Sequence, residues 1–242
     1  MPLTPEPGNR VVFCQQHAIS IIVPVLNEPE GINRTVEHLL RASRDFNAEI
    51  IVVDGDPAGS TVRQIALPGV KTIVGPKGRG SQMNAGARAA SGGVFLFVHA
   101  DTCLPHDGVR AVLNACRGPC VAGGAFLLGI DNKQWIYRLI ESWANIRTGL
   151  LKIPYGDQAM FIKKSVFDKI GGYAEIPLME DIDITRRLKR GGHKITLIKK
   201  AVRTSARRWE SEGVLYGIVR NNILSTLFYM GMDAVTLKRF YR

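Results

Sequence analysis

An open α/β sheet in one domain, Rossmann-like and flanked by helices, is the fold this sequence predicts, and three observations predict it. Short runs dense in Ile and Val alternate with segments of helical apolar spacing, the rhythm of a strand–helix–strand fold. The runs are nearly all apolar rather than alternating, as strands covered on both faces are. Several of them end on polar residues, where ligands of open α/β sheets bind. The chain of 242 residues is long enough for one sizeable core.

Ile19–Val25 reads as the first strand, closed by Pro24, and Glu30–Phe46 as a helix with apolar residues at Ile32, Val36, Leu39 and Leu40. Ile50–Asp54 is the second strand, Gly59–Leu67 a short helix and Val70–Val74 the third strand. Arg79–Ala90 is Ala-rich and helical, and Val94–Val98 is a fourth strand leading to His99 and Asp101. Beyond it the spacing predicts a helix at His106–Cys116, a strand at Ala122–Leu128 and a helix at Gln134–Arg147. A short strand at Gln158–Lys163, a helical turn at Ser165–Ile170, a helix at Glu180–Arg190, a strand at Lys194–Ile198 and a helix at Gly213–Met230 complete the series. There is no internal repeat and no low-complexity linker. The expected organisation is an N-terminal extension (1–17), two halves of one domain (18–105 and 106–200) and a basic C-terminal helical segment (201–242).

Residues 186–242 hold 14 Lys and Arg against 3 Asp and Glu, so this segment carries the whole net charge of +11. Such asymmetry points to an anionic partner: nucleic acid, an anionic membrane face or a phosphorylated ligand. The four cysteines are too few for a disulfide scaffold and lack zinc-finger spacing, which suits reduced thiols in a cytoplasmic protein. No signal peptide is evident, and Val214–Met232 is interrupted by Arg220, Asn221 and Asn222, which argues against a membrane span.

The strand ends carry Asn27 and Glu28, Asp54 and Asp56, and His99 and Asp101, and together they suggest one cleft. The segments SIIVPVLNE, IIVVDGD, GPKGRGSQMNAGARAASG, FLFVHADT and LMEDIDITRRLKRGG come in the order and spacing of family 2 glycosyltransferases. The resemblance covers residues 18–200, and within that family it is strongest to small stand-alone bacterial enzymes around arsenosugar biosynthesis. It implies a GT-A-type mixed sheet. It also implies inverting transfer of a sugar from a nucleotide-diphosphate donor to a hydroxyl-bearing acceptor, with Mg²⁺ or Mn²⁺.

On that resemblance Pro24, Asn27 and Glu28 lie beside the base and ribose, and Asp54 accepts hydrogen bonds from them. Arg79, at a glycine-rich helix start with Asn84 further along, meets the diphosphate. His99-Ala100-Asp101 takes the place of the family's Asp-X-Asp, with Asp101 as metal ligand. His99 departs from that pattern: an imidazole suits Mn²⁺ or a softer metal better than Mg²⁺, or it bonds the ribose or diphosphate through water. Asp181 matches the catalytic base, which takes the acceptor hydroxyl proton. Glu180 beside it, and the loop Gly156-Asp157-Gln158, shape the acceptor side. A nucleotidyltransferase is the nearest rival, but its glycine–arginine loop follows the first strand, whereas Gly78–Gly80 follow the third. Nucleic acid is a poor partner for so many strand-end acids. Arg207-Arg208-Trp209 faintly resembles the Arg-Trp element of processive members, which suggests that the C-terminal segment turns cations towards phosphates. Peripheral contact with the inner membrane face and a homodimer through the C-terminal helix are the other two readings of that segment.

Overall fold

The computed structural model describes residues 18–118 and 120–241. The expected extension over residues 1–17, including Cys14, lies outside the described residues. The strands are β1 (Ile19–Val25), β2 (Ala48–Asp54), β3 (Val70–Val74), β4 (Val94–Phe97), β5 (Thr102–Cys103), β6 (Val121–Asp131), β7 (Phe161–Lys163) and β8 (Lys194–Ser205). The helices are α1 (Ile32–Ser43), α2 (Arg79–Ala89), α3 (Gly108–Cys116), α4 (Trp135–Leu151), α5 (Lys164–Lys169), α6 (Glu180–Arg190), α7 (Arg207–Glu212), α8 (Val214–Tyr229) and α9 (Ala234–Arg239).

All eight strands form one sheet in the order β3-β2-β1-β4-β7-β6-β8-β5. The first four are parallel, and their register levels the carboxyl ends: Val25 pairs with Asp54, and Asp54 with Val74. β7 runs antiparallel to both β4 and β6, which makes the sheet mixed, and β6 and β8 are parallel to each other. The sheet separates two cores. Ile19, Ile21, Val23, Ile50 and Val52 face one side with α1 and α3; Ile22, Ile51 and Val53 face the other with Met83 of α2 and Ile184 of α6. Strands with both faces covered have no polar face to show, hence their uninterrupted apolar sequence. Each fully buried Ile, Val or Leu adds about 1.5–3 kcal/mol by leaving water.

Several elements differ from the sequence reading. Gly59–Leu67 forms only a single 3₁₀ turn at Val62–Gln64, followed by Pro68 and the turn at Gly69, whose φ is +80°. Gln158–Lys163 divides into a 3₁₀ turn, Gly156–Gln158, and the short β7. β6 and β8 extend well beyond Leu128 and Ile198, because pairing with each other continues across the charged stretch Lys199–Lys200. α7, α9 and the two-residue β5 are additions. α8 packs on the core through Leu224, next to Ile153, Met179 and Ile182.

Candidate active site

The levelled ends of β1, β2 and β4 open onto one edge, and the loops leaving them build one rim of a cleft. Asn27 takes a left-handed φ of 56°, which Asn tolerates better than most residues, and turns the chain sharply after β1. The Glu28 N–H then donates to Thr61 Oγ1 at 3.1 Å, tying the loop after β1 to the loop after β2. Pro24 stays within β1, half-buried and opposite Val53.

Asp54 departs from its expected role. It is fully buried, and its carboxylate accepts from the N–H groups of Asp56, Thr61 and Val62 at 2.9, 2.8 and 3.1 Å. It therefore holds the 55–62 loop instead of presenting an acceptor to a ligand. Gln82 works in the same way from α2, donating to the carbonyls of Val25 at 2.6 Å and Val53 at 2.9 Å. Asn84 also turns inward: its amide donates to the Tyr173 carbonyl and its oxygen accepts the Tyr173 N–H, both at 2.9 Å. The expected ligand contact of Asn84 thus becomes a clamp between α2 and the 171–174 loop. Tyr173 is further fixed by an edge-on contact with Phe97 at 5.0 Å. Arg79, by contrast, is exposed at the first position of α2, and its positive charge lowers the pKa values of Asp157, Glu180 and Asp181.

His99, Ala100 and Asp101 follow β4 and are partly exposed. The segment is pinned from behind, where Thr35 donates to the Ala100 carbonyl and the Asp101 carbonyl accepts the Ser205 N–H at 3.2 Å. Among the described residues the Asp101 carboxylate has long contacts alone, with the hydroxyls of Thr102 (3.4 Å) and Thr204 (3.5 Å). The acceptor-side loop meets this segment at Gly156, where a Cβ would lie 2.9 Å from His99 Nε2 and 3.7 Å from Asp181 Oδ2. A glycine there lets the imidazole and the carboxylate approach one loop.

Met179, in a left-handed conformation at φ 69°, starts α6 and puts Glu180 and Asp181 in its first turn. Asp181 accepts the Gly156 N–H at Oδ2 (2.7 Å) and its neighbour Ile182's N–H at Oδ1 (2.8 Å). Burial still raises its pKa, against those two hydrogen bonds and Arg79. Glu180 is 7% exposed; burial and then repulsion from Asp181 push its pKa up to about 7. Asp157 rises to about 6 through burial, then repulsion from Asp181, with Arg147 opposing and Asp101 adding to the rise. Gln158 is fully buried and fully used: it donates to the Phe126 carbonyl and accepts from Thr148 Oγ1 and the Tyr155 N–H. Like Asp54 and Asn84, it holds a loop.

The structure therefore draws Arg79, His99, Asp101, Gly156, Asp157, Glu180 and Asp181 towards one place. It leaves Pro24, Asn27 and Glu28 on the rim formed by the loop after β1, with Asp54, Asn84 and Gln158 buried beneath. Sequence reasoning missed Arg147, whose guanidinium stacks 3.6 Å above the Tyr155 ring and faces Asp157. Its only sequence signal is a cation on the flank of an amphipathic helix. Arg207, of which a phosphate contact was expected, meets Glu28 Oε2 through its guanidinium at 3.2 Å. The side chain of Arg208, the other half of that expectation, lies outside what is described. As a metal site, the described residues offer no group of three or more His, Cys, Asp or Glu. Asp101, with little else bonded to it, fits a cation that takes most of its ligands from phosphate and water, as Mg²⁺ commonly does.

Residues 20–175 match the Glycosyl transferase family 2. The dolichol-phosphate mannosyltransferase of Pyrococcus furiosus is 29% identical over 145 residues, covering 56% of this chain and 41% of that protein. An uncharacterized glycosyltransferase of Mycobacterium tuberculosis is 28% identical over 164 residues, 64% of this chain and 62% of its own. The chain thus spans less than two thirds of either curated relative. Among solved structures, a Pyrobaculum calidifontis mannosyltransferase in complex with GDP-Man and Mn²⁺ has a TM-score of 0.59 at 19% identity, covering 78% of this chain and 57% of that one. Residues 1–349 of S. aureus TarS give 0.59 at 17% identity, covering 92% of this chain and 68% of that one. At these identities the structures share a fold, the GT-A type.

Proposed function

The chain belongs to glycosyl transferase family 2, and on that premise we propose that it transfers a sugar from a nucleotide-diphosphate donor to a hydroxyl acceptor, inverting the anomeric carbon. One observation carries the assignment of roles. Asp181 is a carboxylate with a raised proton affinity, aimed by two backbone N–H groups and set beside His99 and Gly156 at the mouth of the parallel strands. A base held in one rotamer is what proton removal from an acceptor hydroxyl requires.

In this mechanism Asp181 takes the hydroxyl proton as the acceptor oxygen attacks the anomeric carbon. The bond from that carbon to the diphosphate oxygen breaks with its electron pair on the diphosphate, and the proton passes from Asp181 to water afterwards. Arg79 and the unpaired N–H groups at the start of α2 face the departing charge. Mg²⁺ or Mn²⁺ held by Asp101 would neutralise the same diphosphate when bound. His99 contributes an imidazole to the metal or the ribose. The Mn²⁺ and GDP-Man of the Pyrobaculum structure support a cation and a nucleotide sugar.

The arsenosugar-related subgroup is proposed on the sequence motifs alone. Free thiols at Cys103, Cys116 and Cys120 support a reducing, cytoplasmic setting. Among the described residues no helix is long and apolar enough to cross a membrane.

The test is Asp181→Asn, which keeps a hydrogen-bond acceptor for Gly156 but cannot take the proton. Donor affinity, by calorimetry, stays within a few-fold while turnover falls by about 10²–10⁴. A collapse of donor affinity would show that Asp181 belongs to the donor site and is not the base.

A further inference from the structure

The outer face of α4 is an exposed apolar surface that glycosyl transfer does not use. Trp135, Leu139, Trp143, Ile146 and Leu150 are all exposed, Trp135 by 72% and Leu150 by 77%. At 3.6 residues per turn they fall within an arc of about 80°. The opposite face, Tyr137, Ile140, Ala144 and Thr148, is the buried one. α4 is therefore apolar on both sides, and among the described residues only one side is covered. α8, which shares the cluster beneath α4 through Val214 and Ile218, repeats the pattern with exposed Tyr216, Val219 and Ile223.

We propose that the outer face of α4, continued by α8, is a docking surface for an anionic phospholipid bilayer. Charge selects this occupant. Lys133 precedes α4 and Lys152 ends it, and Lys189 joins them by donating to the Leu151 carbonyl at 2.8 Å. Glu141, the single acid within α4, turns inward, its Oε1 taking the Ile130 N–H at 2.5 Å. The exposed stripe thus has cations at both ends and no acid of its own helix, beside a segment that carries the net charge of +11. A cationic rim around tryptophan, leucine and isoleucine is the composition of a helix lying in a membrane interface. A second copy of the chain would bring the same cations to face each other.

The surface also lies next to the acceptor side. On the inner flank of the same helix, Thr148 donates to Gln158 Oε1 and Arg147 stacks on Tyr155. Docking through the outer stripe would set the 155–158 loop close to the lipid headgroups. The docking itself stands whether or not the transfer reading does.

The experiment uses the full chain and vesicles of phosphatidylcholine with or without phosphatidylglycerol, at about 0.15 M salt. The expected result is co-sedimentation with the anionic vesicles only. Tryptophan emission should shift to the blue and lose access to a soluble quencher, since Trp135 and Trp143 are two of the three tryptophans. Leu139→Ser with Trp143→Ser, both on the surface and checked by circular dichroism, should weaken binding at least tenfold. Lys133→Gln with Lys152→Gln should weaken it several-fold and flatten its salt dependence. Three results would each overturn the proposal. They are binding without a change in tryptophan emission, equal binding to neutral vesicles, and a dimer in buffer that Trp143→Ser disperses while no vesicle is bound.

Discussion

Glu180→Gln tests the electrostatics of the site without touching its shape. Glu180 is almost fully buried, and its pKa is pushed from an ordinary 4.5 up to about 7. The folded chain therefore keeps this proton over a pH range in which the unfolded chain has released it. In that range the folded state binds more protons, so stability falls as pH rises from about 4.5 to about 7 and is level beyond. The difference between the two values amounts to about 3 kcal/mol lost above pH 7. Glutamine keeps the volume and one acceptor but carries no charge, so the variant should match the wild type near pH 4. By pH 8 it should be more stable by an amount approaching about 3 kcal/mol. Urea unfolding of both proteins at a series of pH values measures the difference directly. A difference that does not vary with pH, or a wild type more stable than the variant at pH 8, would refute the reasoning.

Asp101→Asn should abolish the dependence of nucleotide-diphosphate binding on a divalent cation, measured by calorimetry with and without Mn²⁺. Gly156→Ala puts a methyl group 2.9 Å from His99 Nε2 and should displace the imidazole, lowering turnover tenfold or more while the fold, by circular dichroism, is kept. Arg207→Gln breaks an ion pair whose partners are 67% and 38% exposed, so thermal stability should change by less than about 1 kcal/mol. Donor affinity should nevertheless drop about tenfold if Arg207 leaves Glu28 for the diphosphate, and an unchanged dissociation constant would place it outside the donor site.

The sequence made the parallel half of the sheet legible because burial on both faces removes every polar residue from β1, β2 and β4 apart from their ends. The antiparallel and edge elements were harder for the same physical reason. β8 is an inner strand interrupted by Lys199 and Lys200, which sit at a break in its register with β6, and β5 is only two residues long, too short to leave a pattern. Among site residues, spacing and residue type located the right segments but could not say which way a side chain turns. Asp54, Asn84 and Gln158 have the chemistry of ligands, yet each is buried and bonded to backbone. Whether an amide or carboxylate serves a substrate or a loop depends on which backbone N–H and C=O groups the tertiary fold leaves unpaired around it, and those groups are invisible in a linear motif. Arg147 escaped because its meaning lies in a contact with Tyr155 and Asp157, neither of which shares a motif with it.

Those inward-turned residues explain how the carboxylates of the site can stay close together. Asp181 repels both Glu180 and Asp157, and Asp101 adds to the repulsion felt by Asp157. Loops under such repulsion would drift apart and let in water unless something else fixed them. Gln82 bridges β1 to β2, Asn84 clamps α2 to Tyr173, and Gln158 ties the acceptor loop to β6 and α4. These are buried hydrogen bonds, all but the Thr148–Gln158 one made to backbone, and losing one partner of such a bond costs about 1–3 kcal/mol. That resistance keeps the carboxylates in place with their proton affinities raised. A proton relieves this repulsion, and on the proposed mechanism a cation held at Asp101 with the donor diphosphate would relieve it too. Protons and such a cation would then compete for the same electrostatic field, while the frame of neutral amides beneath holds the loops in place.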